Sequence, residues 1–157
     1  MSLDLEQELK LAIEALSRHG VPYALCGGLA LAIHGHPRAT KDIDFLVPPA
    51  SVAAALDALA SAGFPLRAGP IPLGAKGPHP QRLFRATKVS GSDHLTVDLL
   101  EVSVSYDSAW NSRQTLVWKE QPLTVLSRSG LIEMKRLSVR LKDQSDLEAL
   151  EAPDHET

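Results

Sequence analysis

Two aspartates lie two positions apart in a short apolar run of this sequence. Asp42 and Asp44 flank Ile43 and are followed by Phe45. Successive side chains of a β-strand point to opposite faces, so this spacing predicts that both carboxylates project to one side while Ile43 and Phe45 enter the core. Two carboxylates held this close repel each other unless a cation lies between them. Mg²⁺ prefers such oxygen ligands together with substrate phosphates, so the pair indicates metal-assisted phosphate chemistry.

A third aspartate, Asp98, lies in the otherwise apolar segment from Leu95 to Leu100. An acid on a buried strand needs a partner that offsets its loss of hydration. If a neighbouring strand places it beside Asp42 and Asp44, the three acids can hold two metal ions, one activating an acceptor hydroxyl and one clamping a triphosphate. We therefore expect Asp42, Asp44 and Asp98 to be the catalytic residues and also the metal ligands.

The neighbours of Asp98 leave an alternative open. His94 and Thr96 share its strand parity and are polar, so this face of the strand could be solvated. Glu101 has the opposite parity and is our second choice for the third acid. Two aspartates at this spacing also occur on solvated strand edges.

A glycine pair precedes the aspartates. Gly27 and Gly28 follow the apolar run from Val21 to Cys26, and a short helix is predicted from Leu29 to His34. Glycines allow the backbone to turn sharply and to approach a phosphate, and the amides at a helix start favour negative charge. The order of strand, glycine turn and helix is therefore compatible with phosphate binding.

The elements around these residues follow from hydrophobic periodicity. Helical spacing of leucines and alanines predicts a first helix from Leu5 to Leu16, ending near Gly20. Ile43 to Val47 is predicted to be a buried strand, and the alanine-rich segment from Ser51 to Ala62 a helix. Two further helices are predicted near the C-terminus, at residues 129–141 and 146–150.

The second half of the chain predicts two hairpins and a loop. Arg82 to Val89 and His94 to Val102 form the more secure hairpin, and segments 115–118 and 123–126 form the weaker one. Prolines and glycines crowd the stretch from Pro65 to Pro80, which predicts a long surface loop.

Composition limits the class of protein. A chain of 157 residues supports one domain, which we assign to residues 1–151, with a flexible tail at residues 152–157. The single cysteine, Cys26, excludes an internal disulfide. A net charge of -3 gives no overall field for nucleic acid or anionic membrane. Met1 to Lys10 do not form a signal peptide and no apolar run could span a bilayer, so we expect a cytoplasmic protein without a membrane partner.

These motifs together resemble the DNA polymerase beta-like nucleotidyltransferase superfamily, in particular minimal members related to abortive-infection toxins. The resemblance lies in the glycine turn and first core helix, in the strand that carries Asp42 and Asp44, and in Thr96-Val97-Asp98-Leu99. Lys135 and the charged segment from Arg140 to Leu147 are similar to the helical motif of the abortive-infection relatives.

The resemblance implies an α+β fold with a mixed central sheet, flanking helices and a C-terminal helical segment. It implies dependence on Mg²⁺, with Mn²⁺ as the alternative ion, and transfer of a nucleoside monophosphate from a nucleoside triphosphate to an acceptor hydroxyl of a tRNA, a protein or a small molecule. A role as a toxin or phage-defence component with a cognate antitoxin follows from the same resemblance, as does help from Asp143 or Asp146 in organising the last helix. The implied nucleotide-binding residues are Gly27, Gly28, Arg38, Lys41, Lys135, Arg140 and Asp146.

Two other functions compete with this one. Leu29 stands where many members of the superfamily have a triphosphate-binding serine, so the chain could be an inactive nucleotide-binding or protein-interaction module. A sugar transferase that uses Asp42 and Asp44 for a nucleotide-sugar metal fits poorly, because only 41 residues precede the motif and such a domain needs repeated βαβ units there.

Overall fold

A computed structural model describes residues 3–36, 41–76, 79–137 and 150–151 of the chain. It contains one seven-stranded mixed sheet with the strand order β3-β4-β5-β2-β1-β7-β6. The strands are β1 (Ala24–Cys26), β2 (Asp42–Val47), β3 (Leu66–Leu73), β4 (Gln81–Ser90), β5 (Asp93–Glu101), β6 (Gln114–Trp118) and β7 (Gln121–Val125). The helices are α1 (Leu5–Arg18), α2 (Gly27–Ile33), α3 (Val52–Ser61), α4 (Asp107–Asn111) and α5 (Arg128–Arg136), with 3-10 turns at Pro49–Ser51 and Val104–Tyr106.

The central strand β2 joins two differently oriented neighbours. It pairs in parallel with β5 and antiparallel with β1, which in turn pairs in parallel with β7. Both predicted hairpins are confirmed as β4–β5 and β6–β7. Parallel pairing of β2 and β5 requires a long connection. The segment between these strands contains α3, β3 and β4, so the fold can set the two acid-bearing strands side by side.

One face of the sheet packs against α1 and α3. Ile43, Phe45, Val97 and Leu99 lie on this face and are fully buried. Asp4 is the N-cap residue of α1, and its side chain accepts a hydrogen bond from the Glu6 amide. Its apolar residues recur at helical spacing and face the sheet, as the sequence predicts. The opposite face of β2 and β5 therefore carries the polar side chains.

A partly buried ion pair connects α1 to the sheet. The Glu8 carboxylate accepts from the Lys88 ammonium of β4, and their side chains are 9% and 15% exposed. The same ammonium lies 4.8 Å from the centroid of the Phe64 ring. A charge so poorly hydrated is stabilised only by such partners, so this contact fixes α1 over β4.

The prediction of a long surface loop from Pro65 to Pro80 is wrong, because the strand β3 occupies Leu66–Leu73 of this segment. Among the described strands, β3 lies at the edge of the sheet and pairs only with β4, with an irregular register between Ala68 and Ile71. Proline lacks an amide hydrogen, and an edge strand tolerates this because one side of it needs no ladder partner. Pro70 and Pro72 are therefore accommodated within a strand.

The predicted helices near the C-terminus are described only in part. The helix α5 covers the start of the first one and is capped by the Ser127 hydroxyl, which accepts from the Gly130 amide. Residues 138–149 and the predicted tail at residues 152–157 lie outside the described residues. Within the part of the chain that the structure describes, no helix has the length and apolarity needed to cross a bilayer.

Candidate active site

Asp42 and Asp44 lie on the polar face of β2, as the alternation predicts. Asp42 is exposed and Asp44 is half-buried, whereas Ile43 between them is fully buried. The Thr96 hydroxyl of β5 donates a hydrogen bond of 3.1 Å to Asp42 Oδ1. The pair is thus presented at the surface of the sheet by a strand whose other face is anchored in the core.

Asp98 lies next to Asp44 across the parallel pairing of β5 with β2. The register sets Asp42 opposite Thr96 and Asp44 opposite Asp98, so these four side chains share one face. Asp98 is 7% exposed and is one of three buried polar residues among those described. The solvated-face alternative for this position is therefore wrong.

The Asp98 carboxylate is held by an arginine that the sequence reasoning did not single out. Arg85 lies opposite Asp98 on β4. Its Nε donates to Oδ1 at 2.8 Å and its Nη2 donates to Oδ2 at 3.1 Å, so the two side chains form a bidentate salt bridge. The hairpin register would have given a signal, because counting outward from the Ser90–Asp93 turn sets positions 85 and 98 opposite each other.

The glycine turn lies directly beside the carboxylate pair. Cys26 at the end of β1 is opposite Asp44, and α2 begins at the next residue, Gly27. Gly27 has a φ of +71°, and a Cβ at this position would overlap the Asp44 carboxylate. The turn therefore brings its backbone as close to Asp44 as a residue without a side chain allows.

Lys135 of α5 reaches the same region. Burial raises the pKa of the Cys26 thiol well above its usual range, and the charges of Asp44 and Asp98 raise it further, whereas the charge of Lys135 lowers it. All three charged groups therefore lie within electrostatic range of one buried sulfur atom. The fold thus places the Lys135 ammonium, like the Asp44 and Asp98 carboxylates, near the Cys26 sulfur at the end of β1.

Two further candidates from the sequence, Lys41 and Glu101, lie among the described residues. Lys41 is exposed just before β2. Glu101, our second choice for the third acid, lies on the other side of β5 and forms a two-pronged pair with Arg82 at 2.8 and 3.0 Å. Several predicted nucleotide-binding or helix-organising residues fall outside the described residues, namely Arg38, Arg140, Asp143 and Asp146.

The carboxylates fit a divalent cation as a pair. Asp42 and Asp44 offer oxygen ligands on one face, and Mg²⁺ commonly uses one or two protein carboxylates with phosphates and water. Residues 3–36, 41–76, 79–137 and 150–151 contain no group of three or more His, Cys, Asp or Glu side chains whose geometry could hold a metal ion. Asp98 is adjacent to the pair but has Arg85 as its partner.

The fold is that of nucleotidyltransferases. A protein from Thermotoga maritima described as a nucleotidyltransferase superposes with a TM-score of 0.62 at 13% identity, over 91% of this chain and 89% of that one. A lincosamide antibiotic adenylyltransferase bound to lincomycin gives 0.59 at 13% identity, over 94% and 96%. The protein ANT(2'')-Ia in complex with adenylyl-2''-tobramycin gives 0.58 at 14% identity, over 90% and 84%.

The family can be named from the sequence match. Residues 11–105 match the family described as nucleotidyl transferase AbiEii toxin of type IV toxin–antitoxin systems. This segment contains the glycine turn and all three aspartates. The chain belongs to the AbiEii nucleotidyltransferase family, within the DNA polymerase beta-like superfamily. The predicted resemblance and the predicted α+β fold are thus confirmed. No curated protein matches the sequence significantly.

Proposed function

We propose that this protein transfers a nucleoside monophosphate from a nucleoside triphosphate to an acceptor hydroxyl, with dependence on Mg²⁺ or Mn²⁺. The observation that carries the proposal is the placement of Asp42 and Asp44 on one polar strand face, beside the Gly27 turn and next to Asp98. The family match supports the reaction class. Two structural neighbours, an antibiotic adenylyltransferase and a complex with an adenylylated antibiotic, are compatible with it.

Different residues of the candidate active site would bind the cation, bind the phosphates and accept the proton. Asp42 and Asp44 would hold the cation, which neutralises the triphosphate and stabilises the pyrophosphate leaving group when bound. Gly27 and Gly28 would let the backbone approach the phosphates, and Lys135 would contact them through its ammonium group. Asp98 would accept the proton of the acceptor hydroxyl as its oxygen attacks the α-phosphorus. The bond from the α-phosphorus to the bridging oxygen breaks, and pyrophosphate leaves.

The biological setting follows from the family. We propose that the chain is the toxin of a type IV toxin–antitoxin pair, with a cognate antitoxin as its partner. The acceptor hydroxyl would belong to a tRNA, a protein or a small molecule. Transfer to an essential acceptor would account for toxicity, because the modified hydroxyl is then no longer available.

The test is transfer of label from each α-³²P nucleoside triphosphate with Mg²⁺ or Mn²⁺, using total RNA, cell protein and the protein itself as acceptors. Incorporation that needs the metal and is lost in Asp44→Ala is the expected result. Asp57→Ala is a matched control, since Asp57 lies on α3, away from the glycine turn, and pairs with Arg67. Incorporation that survives Asp44→Ala would contradict the site.

A second candidate is a module that binds nucleotide or protein without turnover. The observation that favours it is the Arg85–Asp98 pair, which occupies both oxygens of the proposed base. Such a module would bind a triphosphate with measurable affinity and incorporate no label from any nucleotide. The same transfer assay, combined with equilibrium dialysis, therefore separates the two candidates.

A further inference from the structure

Arg85 and Asp98 differ in their freedom to move. The Arg85 side chain is 43% exposed, whereas the Asp98 side chain is 10% exposed. Asp98 lies on a strand with neighbours on both sides, β2 and β4. A long arginine side chain at a partly open position can withdraw into water, but a short carboxylate on a central strand cannot. Any rearrangement of this pair therefore moves Arg85 and leaves Asp98 in place.

The guanidinium of Arg85 interacts with the whole group of acids. The hydrogen bonds with Asp98 raise the pKa of Arg85, and the charges of Asp98, Asp42 and Asp44 raise it further. The guanidinium charge thus offsets part of the repulsion among the three carboxylates, which lie on one face of the sheet. A divalent cation bound at Asp42 and Asp44 would have the same electrostatic effect, so the two cations would repel each other across this site.

We propose that Arg85 is a positioning residue that holds Asp98 in the metal-free protein and competes with a divalent cation for it. This inference rests on the proposed function, because it concerns ion binding at the same carboxylates. Both Asp98 oxygens accept charge-assisted hydrogen bonds from Arg85, so a cation that binds Asp98 while this ion pair is intact lies beside a guanidinium charge. Withdrawal of Arg85 removes that repulsion. Arg85 thereby sets the cation concentration at which the third carboxylate joins the site.

The same hairpin contains a matched control. Arg82 and Glu101 form a fork of similar lengths, 2.8 and 3.0 Å, between the same two strands. Position 82 has the opposite strand parity to position 85, so this second fork lies away from Asp42 and Asp44. Arg82→Gln therefore removes one positive charge and one cross-strand ion pair, as Arg85→Gln does, but leaves Asp42, Asp44 and Asp98 unaltered.

The experiment is a Mn²⁺ titration of the full chain without nucleotide, followed by the electron paramagnetic resonance signal of free Mn²⁺. The variants are Arg85→Gln, Arg85→Lys, Arg82→Gln and Asp44→Ala. Arg85→Gln should bind Mn²⁺ about tenfold more tightly than the native protein, because a competing positive charge is removed from the site. Arg85→Lys should bind close to the native affinity, and Arg82→Gln should match the native protein.

The possible results separate this inference from the proposed function. If Asp44→Ala abolishes Mn²⁺ binding but Arg85→Gln binds no more tightly than the native chain, the role of Arg85 is overturned and the metal site stands. If neither the native chain nor Arg85→Gln binds Mn²⁺ at millimolar concentration, the metal-dependent function is overturned as well. If Arg82→Gln gained as much Mn²⁺ affinity as Arg85→Gln, the change in net charge would explain both results, and the role of Arg85 would be overturned.

A measurement on the native protein covers the case in which Arg85→Gln does not fold. In a ¹⁵N-labelled sample, the Nε–Hε resonances of Arg85 and Arg82 report their hydrogen bonds. Mg²⁺ should shift the Arg85 signal with the same half-saturation as ion binding and should leave the Arg82 signal in place. An Arg85 signal that is unchanged at saturating Mg²⁺ would overturn the proposal.

Discussion

The carboxylate of Asp44 lies against the α-carbon of Gly27, the first residue of α2 after the end of β1. A Cβ at position 27 would overlap the carboxylate, and the φ of +71° lies in the left-handed region that favours glycine. The turn and the second aspartate are therefore fitted to each other, although 16 residues separate Gly27 from Asp44 along the chain.

Gly27→Ala tests this close approach. We expect nucleotide transfer to fall by about 100-fold, because displacing a reacting group by about 1 Å has an effect of that size. The measurement is the initial rate of label transfer together with the thermal unfolding temperature. Gly20→Ala is the control, since Gly20 has a similar φ of +68° but no atom within 4 Å of its would-be Cβ. Equal losses of activity in both variants would mean that backbone strain, and not the Asp44 contact, is responsible.

Lys135→Met tests the proposed phosphate contact. Lys135 lies within electrostatic range of the Cys26 sulfur, as Asp44 and Asp98 do. Loss of its ammonium should raise the KM for the nucleoside triphosphate by about tenfold, with a weaker dependence of KM on salt. Arg136→Met is the comparison, because Arg136 is the next residue of α5 and is exposed. Parallel changes in both variants would contradict a specific contact by Lys135.

The thiol of Cys26 predicts a loss of stability in alkaline solution. Burial raises its pKa in the folded protein, so between the unfolded and folded pKa values the unfolded chain has released a proton that the folded chain retains. The free energy of unfolding should therefore fall as the pH rises above about 8.5, by up to about 1.4 kcal/mol per pH unit.

Urea unfolding of the native protein and of Cys26→Ala between pH 7 and 10 measures this effect. The native protein should lose stability relative to Cys26→Ala only at the alkaline end of the range. Near pH 7 the Cys26 thiol is protonated in both the folded and the unfolded chain. Iodoacetamide should also react slowly with the folded protein and rapidly after unfolding. If the free energy of unfolding depended on pH in the same way for the two proteins, ionisation of Cys26 would make no contribution to the loss of stability.

Glu8→Gln tests the partly buried ion pair between α1 and β4. The substitution preserves size but leaves the Lys88 ammonium, 15% exposed, without its counter-charge. We expect the free energy of unfolding to fall by about 1–3 kcal/mol in urea denaturation. Asp57→Asn removes an exposed pair with Arg67 and should change stability within experimental error. A loss of equal size in both variants would contradict the importance of burial.

Local patterns in the sequence determined several parts of this protein. Alternation along residues 42–47 is sufficient to place Asp42 and Asp44 on one face and Ile43 in the core, because strand parity is a local property. The helical spacing of α1 and the tight turn of the β4–β5 hairpin are likewise encoded by near neighbours. The family resemblance rested on these same local motifs.

Only the tertiary structure decided which carboxylates and cations meet. Parallel pairing of β2 with β5 brings Asp44 opposite Asp98, which lies 54 positions further along the chain, and no local pattern fixes that register. The hairpin register sets Arg85 opposite Asp98, but only the parallel pairing of β5 with β2 brings this ion pair beside Asp44. The proline-rich β3 is a strand because the edge of the sheet tolerates missing amide hydrogens, and edge position is a property of the whole sheet and not of its segment.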